Sequence, residues 1–187
     1  MLWRFRPRIK GVFEAALGEL PELPSRIPVT YKYGAYNDIA QLSAVEHDYD
    51  NAAKLYASYR LSQGDQVVLG EYQRSVIFYG WLTFGRMELG VGQFVRIAPT
   101  SVFTYKLYTV KSQRGNRVLA GFYADLKPRL LLEGYKRILC TVNLQNKPSI
   151  IAHQKLGFQF IGKVLETRFF TYQRFHMSAD LRSRLLE

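Results

Sequence analysis

The sequence has little of what several protein classes depend on. Its 187 residues include a single cysteine, Cys140, and three histidines, which is too few for an internal disulfide or for a metal site built from cysteine and histidine. No uncharged apolar stretch reaches the ~18 residues of a membrane-spanning helix. After the basic start of the chain, Glu14 and Glu19 interrupt the apolar segment, so no secretory signal peptide is expected. These absences favour a cytoplasmic globular protein without a bound metal.

Acidic residues are scarce in one part of the chain. The whole sequence carries 26 Lys and Arg residues against 15 Asp and Glu, which gives a net charge of +11. Residues 89–165 hold twelve of the basic residues and only two acidic ones, Asp125 and Glu133. Positive charge concentrated in this way attracts anions, either the phosphates of a small cofactor or a nucleic-acid backbone. The alternative is a basic protein whose charges only keep it in solution.

The first 24 residues are predicted to form an extension that precedes the main domain. Apolar residues fall at helical spacing over residues 9–17, which predicts a short amphipathic helix. Three prolines then interrupt any regular element. This pattern divides the chain into an extension over residues 1–24 and a single domain over residues 25–187. We expect the helix to pack on the domain; contact of the helix, with Trp3 and Phe5, with a membrane or a partner is the alternative.

Beyond residue 25 the pattern alternates between apolar strands and amphipathic helices. Two runs rich in β-branched and aromatic residues, Gln66–Tyr72 and Ser75–Phe84, are separated by a polar turn and predict an antiparallel hairpin. The resulting order, β-α-α-β-β-β-α-β-α-β-β, predicts an α/β fold with one mixed sheet and helices on its faces. The other predicted strands cover residues 30–33, 101–110, 137–142, 158–162 and 164–177, and the predicted helices begin at Asn37 and cover residues 48–60, 117–133 and 146–157.

The junction after the strand that ends at residue 110 has the features of a diphosphate-binding turn. Gly115 lets the backbone turn tightly, and the first N–H groups of the helix that follows have no partner within that helix. The helix dipole adds partial positive charge, and Arg114 and Arg117 add full charges. The site predicted here comprises Arg114, Gly115, Asn116, Arg117, Val118 and Leu119. A plain strand-to-helix turn with solvated arginines is the alternative.

A second group of polar residues follows the next predicted strand. Asn143 and Asn146 leave that strand, and Asn146 is placed to cap the next helix. Ser149 and His153 are four residues apart, so they share one face of the helix. Cys140 lies in the middle of the apolar strand, and we interpret it as a core residue and not as a nucleophile.

Together the two groups of residues resemble the GNAT superfamily of acetyl-CoA-dependent N-acetyltransferases. The acyl-CoA loop of that family reads Arg/Gln-x-x-Gly-x-Gly/Ala, and its later segment often reads Asn-x-x-Ala-Ile-x-x-Tyr-x-x-x-Gly-Phe. In this sequence the later segment runs in step from Asn146 to Phe158, with His153 at the tyrosine position. The resemblance is clear over residues 108–162, and the predicted β-α-α-β-β-β start also has the order of the family. It implies the GNAT fold and transfer of an acetyl group from acetyl-CoA.

The resemblance also implies roles for individual residues. The diphosphate of acetyl-CoA would bind the turn that begins at Arg114. The pantetheine arm would pair with the end of the preceding strand, and the thioester would lie where the strands separate. The residues at these places are Thr109, Val110, Asn143, Asn146 and Ser149. His153 would act as the acid that protonates the departing CoA thiolate.

A side chain that acts as general base for the attacking amine has to come from outside the basic part of the chain, whereas a water relay or an amine that arrives neutral would need no base. The candidates are Glu46, Asp48, Glu71 and Glu88, and Glu71 and Glu88 are favoured because they flank the central hairpin. The acceptor would be a primary amine of a small molecule or a peptide, which the sequence does not identify, and free CoA would be the product. A homodimer is one option for the oligomeric state, which the sequence leaves open.

Two other functions fit parts of the pattern. Arg117 and Leu119 stand where the family has small residues, and His153 replaces the tyrosine, which favours a non-catalytic relative that binds CoA or holds a partner on its basic face. A nucleic-acid-binding module is the third hypothesis, because aromatic and basic residues are interleaved at Tyr105, Lys106, Tyr108 and Lys111. Adjacent strand residues such as Tyr105 and Lys106 point to opposite faces, which weighs against that hypothesis.

Overall fold

The computed structural model describes residues 8–46, 49–90, 93–169 and 172–187. Trp3, Phe5 and Asp48, which the sequence pattern singled out, lie outside these ranges. The strands are β1 (Arg8–Ala16), β2 (Thr30–Gly34), β3 (Gln66–Tyr72), β4 (Ser75–Phe84), β5 (Arg86–Gly90), β6 (Gln93–Arg96), β7 (Ser101–Thr109), β8 (Arg137–Asn143), β9 (Gln159–Phe169) and β10 (Tyr172–Met177). The α-helices are α1 (Leu42–Val45), α2 (Asn51–Ser62), α3 (Val118–Leu132), α4 (Lys147–Lys155) and α5 (Ala179–Leu186), and short 3₁₀ helices cover Leu17–Glu19, Tyr36–Gln41 and Lys111–Gln113.

Eight of the described strands form one sheet, in the order β10-β9-β1-β8-β7-β4-β3-β2. The neighbours β7 and β8 are parallel, and the other neighbouring pairs are antiparallel. The strands β5 and β6 form a separate two-stranded sheet. The predicted α/β class with one large mixed sheet is therefore confirmed. The predicted hairpin is confirmed as well, because β3 and β4 pair directly.

The N-terminal segment is a strand inside the sheet, so the amphipathic helix predicted over residues 9–17 is wrong. β1 pairs with β8 on one side and with β9 on the other. Val12 and Phe13 are both buried although they point to opposite faces, because both faces of the sheet are covered. Burial on both faces removes the alternation that marks a strand, and the remaining apolar spacing imitates a helix. β1 is thus an inner strand of the sheet, and the predicted helix does not form over these residues.

The last predicted strand boundary is also wrong, because β9 continues through Gly162 without a turn. This glycine permits close packing: a Cβ atom at residue 162 would lie 2.8 Å from the Cδ2 atom of Leu181 in α5. The single strand predicted over residues 164–177 is divided between β9 and β10. Neither α5 nor the β5–β6 hairpin was predicted, although α5 buries Leu181 and Leu185, which lie four residues apart on one face.

Helices pack on both faces of the large sheet. On one face α3 and α4 pack over a core that contains Phe78 and Phe122. On the other face α1, α2 and α5 cover a core that contains Trp81 and Phe103. Cys140 is buried in the first core, where burial raises the pKa of its thiol, so the interpretation of Cys140 as a core residue is confirmed. No helix in the described ranges has the length and apolar character needed to cross a bilayer.

The parallel strands β7 and β8 separate partway along their length. Their pairing ends at Thr104 and Cys140, whereas β7 continues to Thr109 and β8 to Asn143. A bulge lies where they part, because two residues of β7 oppose a single residue of β4. Lys106 in this bulge has a left-handed backbone with φ of +48°. The unpaired ends of the two strands bound an opening at one edge of the sheet.

Candidate functional site

The unpaired ends of β7 and β8 bound an opening that we call the strand gap. Its sides are residues 105–109 of β7 and 141–143 of β8. Here β7 pairs with β4 on one side and has no strand on the other, so an extended ligand can add to its free edge. The Thr109 carbonyl accepts a hydrogen bond from Arg114 Nε at 3.2 Å. The Val110 N–H donates to the Ile77 carbonyl at 2.9 Å. The Val110 carbonyl accepts a hydrogen bond from the Gln113 N–H at 3.0 Å, so both backbone groups of Val110 are engaged within the protein.

The turn over residues 114–119, which we call the α3 turn, leads from the end of β7 into α3. Gly115 has a φ of +88°, and a Cβ atom there would meet nothing within 4 Å, so the turn is open at this residue. Arg117 at the start of the helix also has a left-handed backbone, with φ of +56° and ψ of +28°. Glycine adopts this conformation without strain, which explains why glycine suits the position of Arg117 in the acyl-CoA loop of the GNAT superfamily.

The α3 turn presents backbone N–H groups that have no partner. Among the described residues, no hydrogen bond uses the amides of four turn residues, Gly115, Arg117, Val118 and Leu119. The amides of Arg114 and Asn116 donate to the carbonyls of Lys111 and Gln113 in the preceding 3₁₀ helix. Both arginine side chains are exposed, so two full positive charges accompany the free amides and the helix dipole. This combination of groups suits a diphosphate.

A third arginine, which the sequence pattern did not indicate, holds the α3 turn in place. The Arg26 N–H donates to the Asn116 carbonyl at 2.8 Å, and Arg26 Nη1 donates to the Gly115 carbonyl at 3.5 Å. Arg26 lies 89 residues before Gly115, and nothing in the local sequence signals such a distant contact. It adds positive charge beside the free amides of the turn.

The polar residues between β8 and α4 support local structure. Asn146 Oδ1 accepts a hydrogen bond from the Ser149 N–H at 3.3 Å, so the predicted helix cap is confirmed. Asn143 Oδ1 accepts one from the Gln145 N–H at 2.9 Å and closes the turn after β8. Both asparagines are exposed beside the strand gap, and their side-chain NH₂ groups make no hydrogen bond to other described residues. Contact of these residues and of Ser149 with a ligand stays a prediction.

His153 is buried on the inner side of α4, with 3% of its surface exposed. Its Nδ1 donates to the Ser149 carbonyl at 2.8 Å, and its Nε2 lies 3.4 Å from the Tyr123 hydroxyl. Burial lowers the pKa of His153, so the ring is neutral at pH 7 and carries its one proton on Nδ1. In this arrangement Nε2 carries no proton, so it can accept a hydrogen bond but has no proton to donate. The predicted role of His153 as a thiolate acid stays a prediction that needs the other tautomer.

The buried neutral state of His153 predicts a pH dependence of stability. Its pKa is lower in the folded protein than the usual value of about 6.5, so the unfolded chain binds the extra proton first as the pH falls. Below pH ~6.5 the free energy of unfolding should fall by up to about 1.4 kcal/mol per pH unit relative to His153→Phe, which lacks this group. Urea unfolding at several pH values measures the difference. The exposed His176, replaced by Asn, is the control, and parallel curves for His153→Phe and wild type would contradict the assignment.

The two carboxylates favoured as general bases are both held in ion pairs. Glu71 Oε1 lies 2.6 Å from Lys32 Nζ, between β3 and the edge strand β2. Glu88 in β5 accepts a hydrogen bond from the Tyr56 hydroxyl and pairs with the Arg60 guanidinium. These contacts give both carboxylates a structural use. Their catalytic role stays a prediction.

Glu88 belongs to a buried charge network centred on Arg60. The Arg60 side chain is 1% exposed, and its Nη1 atom lies 3.0 Å from Asp65 Oδ2. Its guanidinium also lies over the rings of Tyr56 and Tyr105. The Tyr105 hydroxyl donates to Asp65 Oδ2 at 2.6 Å, and burial together with Asp65 raises the pKa of that tyrosine. The network joins α2 to β5 and β7 and fixes the helix beside the strand gap.

A groove of about 1020 Å³ lies beside the end of β7, and we call it the Glu46 groove. Its walls include Tyr108, Val110 and Lys111, so it borders the residues that lead into the α3 turn. Glu46, directly after α1, is the one carboxylate among the described lining residues. It accepts a hydrogen bond from the Tyr79 hydroxyl. Burial and the neighbouring Glu46 raise the pKa of Tyr79, so this hydroxyl keeps its proton at neutral pH.

The structure thus brings part of the predicted site together. The residues predicted to bind a cofactor lie around one opening, at the end of β7, in the α3 turn and at the start of α4. Of the candidate bases among the described residues, Glu46 lines the groove beside the end of β7, whereas the favoured Glu71 and Glu88 are held in ion pairs.

Comparison with known proteins shows which fold this is. No protein-family model matches the sequence, and no curated protein matches it. An N-acetyltransferase from Staphylococcus aureus Mu50 has a TM-score of 0.57 at 15% identity, over 82% of this chain and 99% of that one. A predicted acetyltransferase from Clostridium acetobutylicum, solved with acetyl-CoA, has a TM-score of 0.52 at 16% identity, over 72% and 92%.

A conserved protein of unknown function from Staphylococcus epidermidis has a TM-score of 0.62 at 7% identity. The match covers 86% of this chain, which spans only 60% of the length of the Staphylococcus epidermidis protein. Sequence identities this low speak for the architecture alone. The protein has the fold of the GNAT acetyltransferases, as the sequence resemblance implied.

Proposed function

We propose that the protein is an acyl-CoA-dependent N-acyltransferase and that its acyl donor is acetyl-CoA. The observation that carries the proposal is the position of the α3 turn at the open end of the strand gap, where β7 ends. The free edge of β7 suits the amide groups of a pantetheine arm, and the free amides of the turn, with Arg114 and Arg117, suit a diphosphate. The shared fold with acetyltransferases, one of them solved with acetyl-CoA, supports the same donor.

The chemistry would be direct transfer from the thioester to an amine held in the Glu46 groove. The amine nitrogen bonds to the acyl carbon, the carbon–sulfur bond breaks, and CoA leaves as a thiolate that takes up a proton. Holding the two reactants side by side supplies much of the rate. Glu46 is proposed as the group that accepts the proton of the amine, because it lines the groove and Tyr79 fixes one of its oxygens.

Binding and turnover test the proposal separately. Saturating CoA should raise the melting temperature by binding the folded state, and an oligonucleotide at physiological salt should not. Acetyl-CoA with a panel of amines (amino acids, polyamines, aminoglycosides and peptide N-termini) should release free thiol. Absence of any CoA effect, together with nucleic-acid binding that weakens steeply with salt, would contradict the proposal.

The assignment of Glu46 predicts a selective effect on turnover. Glu46→Gln keeps the size of the side chain but removes its basicity, so kcat with the best amine should fall about 100-fold. The dissociation constant for CoA should stay unchanged, because Glu46 lines the groove and is not part of the α3 turn. Glu71→Gln, whose carboxylate is paired with Lys32, should keep the wild-type kcat. A larger loss at Glu71 than at Glu46 would favour the base chosen from the sequence.

A non-catalytic CoA-binding protein is the second candidate. It is favoured by the contacts of the side chains first assigned to catalysis, since His153, Glu71 and Glu88 are all engaged in structural bonds. This function predicts CoA binding at the same turn without release of thiol with any amine. The amine panel therefore separates the two candidates.

A further inference from the structure

The bulge in β7 gives Lys106 an unusual placement. A left-handed backbone is strained for a lysine, and residues held in this way are concentrated at functional sites. The bulge turns Lys106 toward the same face as Tyr105, so the expectation that these neighbours point to opposite faces is wrong. Lys106 Nζ lies 5.6 Å from the centre of the Tyr56 ring, and Tyr105 reaches Asp65 near the end of the same helix.

The amine of Lys106 is not engaged by other described residues. The amine forms no hydrogen bond or ion pair with them, and its one described contact is a cation–π contact with the Tyr56 ring. Lys106 is accessible to solvent, yet the protein around it displaces enough water to lower its pKa. Arg60 lowers this pKa further, and Glu46 opposes the change. These neighbours leave Lys106 with more neutral, nucleophilic amine than an ordinary surface lysine has.

Lys106 also lies at the closed end of the strand gap. Lys106 lies two residues after Thr104, which is the last residue of β7 that pairs with β8. Val110 at the mouth lies four residues away, which is about 13 Å along an extended strand. A pantetheine arm that runs along the free edge of β7 from the α3 turn would bring its thioester toward the bulge.

We infer that Lys106 is a self-acylation site, which takes the acyl group of bound acyl-CoA when no better amine is present. This inference rests on the proposed function. The neutral Nζ bonds to the acyl carbon, the carbon–sulfur bond breaks, the proton leaves Nζ for water, and the CoA thiolate takes up a proton. The product is an amide at Lys106 and free CoA. Acylation removes the positive charge of Lys106 and adds bulk at the closed end of the strand gap.

Mass spectrometry of the full chain tests the inference. The protein is incubated with acetyl-CoA without an added amine, and the acetylated lysines are identified and timed by peptide mapping. We expect acetylation of Lys106 to be about tenfold faster than that of Lys111, which is exposed near the mouth, or of Lys32, which is paired with Glu71. The rate at Lys106 should saturate at the dissociation constant of CoA and fall when free CoA competes. In Lys106→Arg the fast phase should disappear while CoA affinity is kept.

The other outcomes contradict the inference in different ways. Acetylation spread over several lysines, without saturation, would mean that Lys106 reacts only as any lysine in solution does. CoA binding without acetylation of Lys106 would overturn the self-acylation and leave the proposed function standing. Absence of CoA binding, measured by calorimetry on the same sample, would overturn the proposed function and this inference with it.

Discussion

Gly115→Trp is expected to abolish CoA binding and leave the protein folded. The large side chain would lie in the α3 turn, where the free amides face the proposed diphosphate. A Cβ atom at Gly115 meets nothing within 4 Å, so the new side chain would begin in open space, and its cost to the fold is the backbone strain of a φ of +88°. We expect the dissociation constant for CoA, measured by calorimetry, to rise at least about 100-fold, which corresponds to ~2.8 kcal/mol.

Gly134→Trp is the matched control for this experiment. Gly134 follows the other end of α3 and has a φ of +86°, and a Cβ atom there would also meet nothing within 4 Å. The two variants therefore carry the same backbone strain, about 20 Å apart along the helix. Gly134→Trp should bind CoA like wild type at a similar melting temperature. Equal affinities for Gly115→Trp and Gly134→Trp would remove the α3 turn from the site.

Among the variants proposed, Asp65→Ala is expected to lower the free energy of unfolding the most. Asp65 is 3% exposed and accepts hydrogen bonds from Arg60, Arg86 and Tyr105. Its removal leaves the buried Arg60 guanidinium with one carboxylate partner instead of two, and an underpaired buried charge is costly. The free energy of unfolding in urea should fall by about 3–5 kcal/mol.

Glu133→Ala is the control for the effect of losing an ion pair. Glu133 Oε1 lies 2.7 Å from Arg129 Nε on the surface of α3, and such an exposed pair contributes about 0.3–0.5 kcal/mol. The difference between the two variants isolates the contribution of burial. A loss at Asp65→Ala as small as that at Glu133→Ala would mean that water reaches the Arg60 network and compensates the charge.

The part of the fold that local patterns specify could be predicted from the sequence. β3 and β4 have the predicted bounds, because β-branched and aromatic residues surround a polar turn. The start of α4 is set by the Asn146 side chain, which caps the helix through a contact three residues away. β1 could not be predicted, because its pairing with β8 and β9 depends on residues more than a hundred positions away.

The same distinction holds for the candidate site. The α3 turn could be predicted, since a glycine and a helix start make free amides through local geometry. The choice among the carboxylates could not, because the partners of Glu88 and Glu46 come from distant elements. Spacing placed Ser149 and His153 on one face of α4 but did not show that this face puts His153 in the core.

Amide hydrogen exchange with and without saturating CoA tests the central claim most directly. If CoA binds along the free edge of β7 and at the start of α3, exchange should slow about tenfold or more at residues 107–110 and 117–120. Exchange in β2 and β10, at the outer edges of the sheet, should not change. Protection confined to other segments, or no protection at a CoA concentration that saturates binding, would contradict the account.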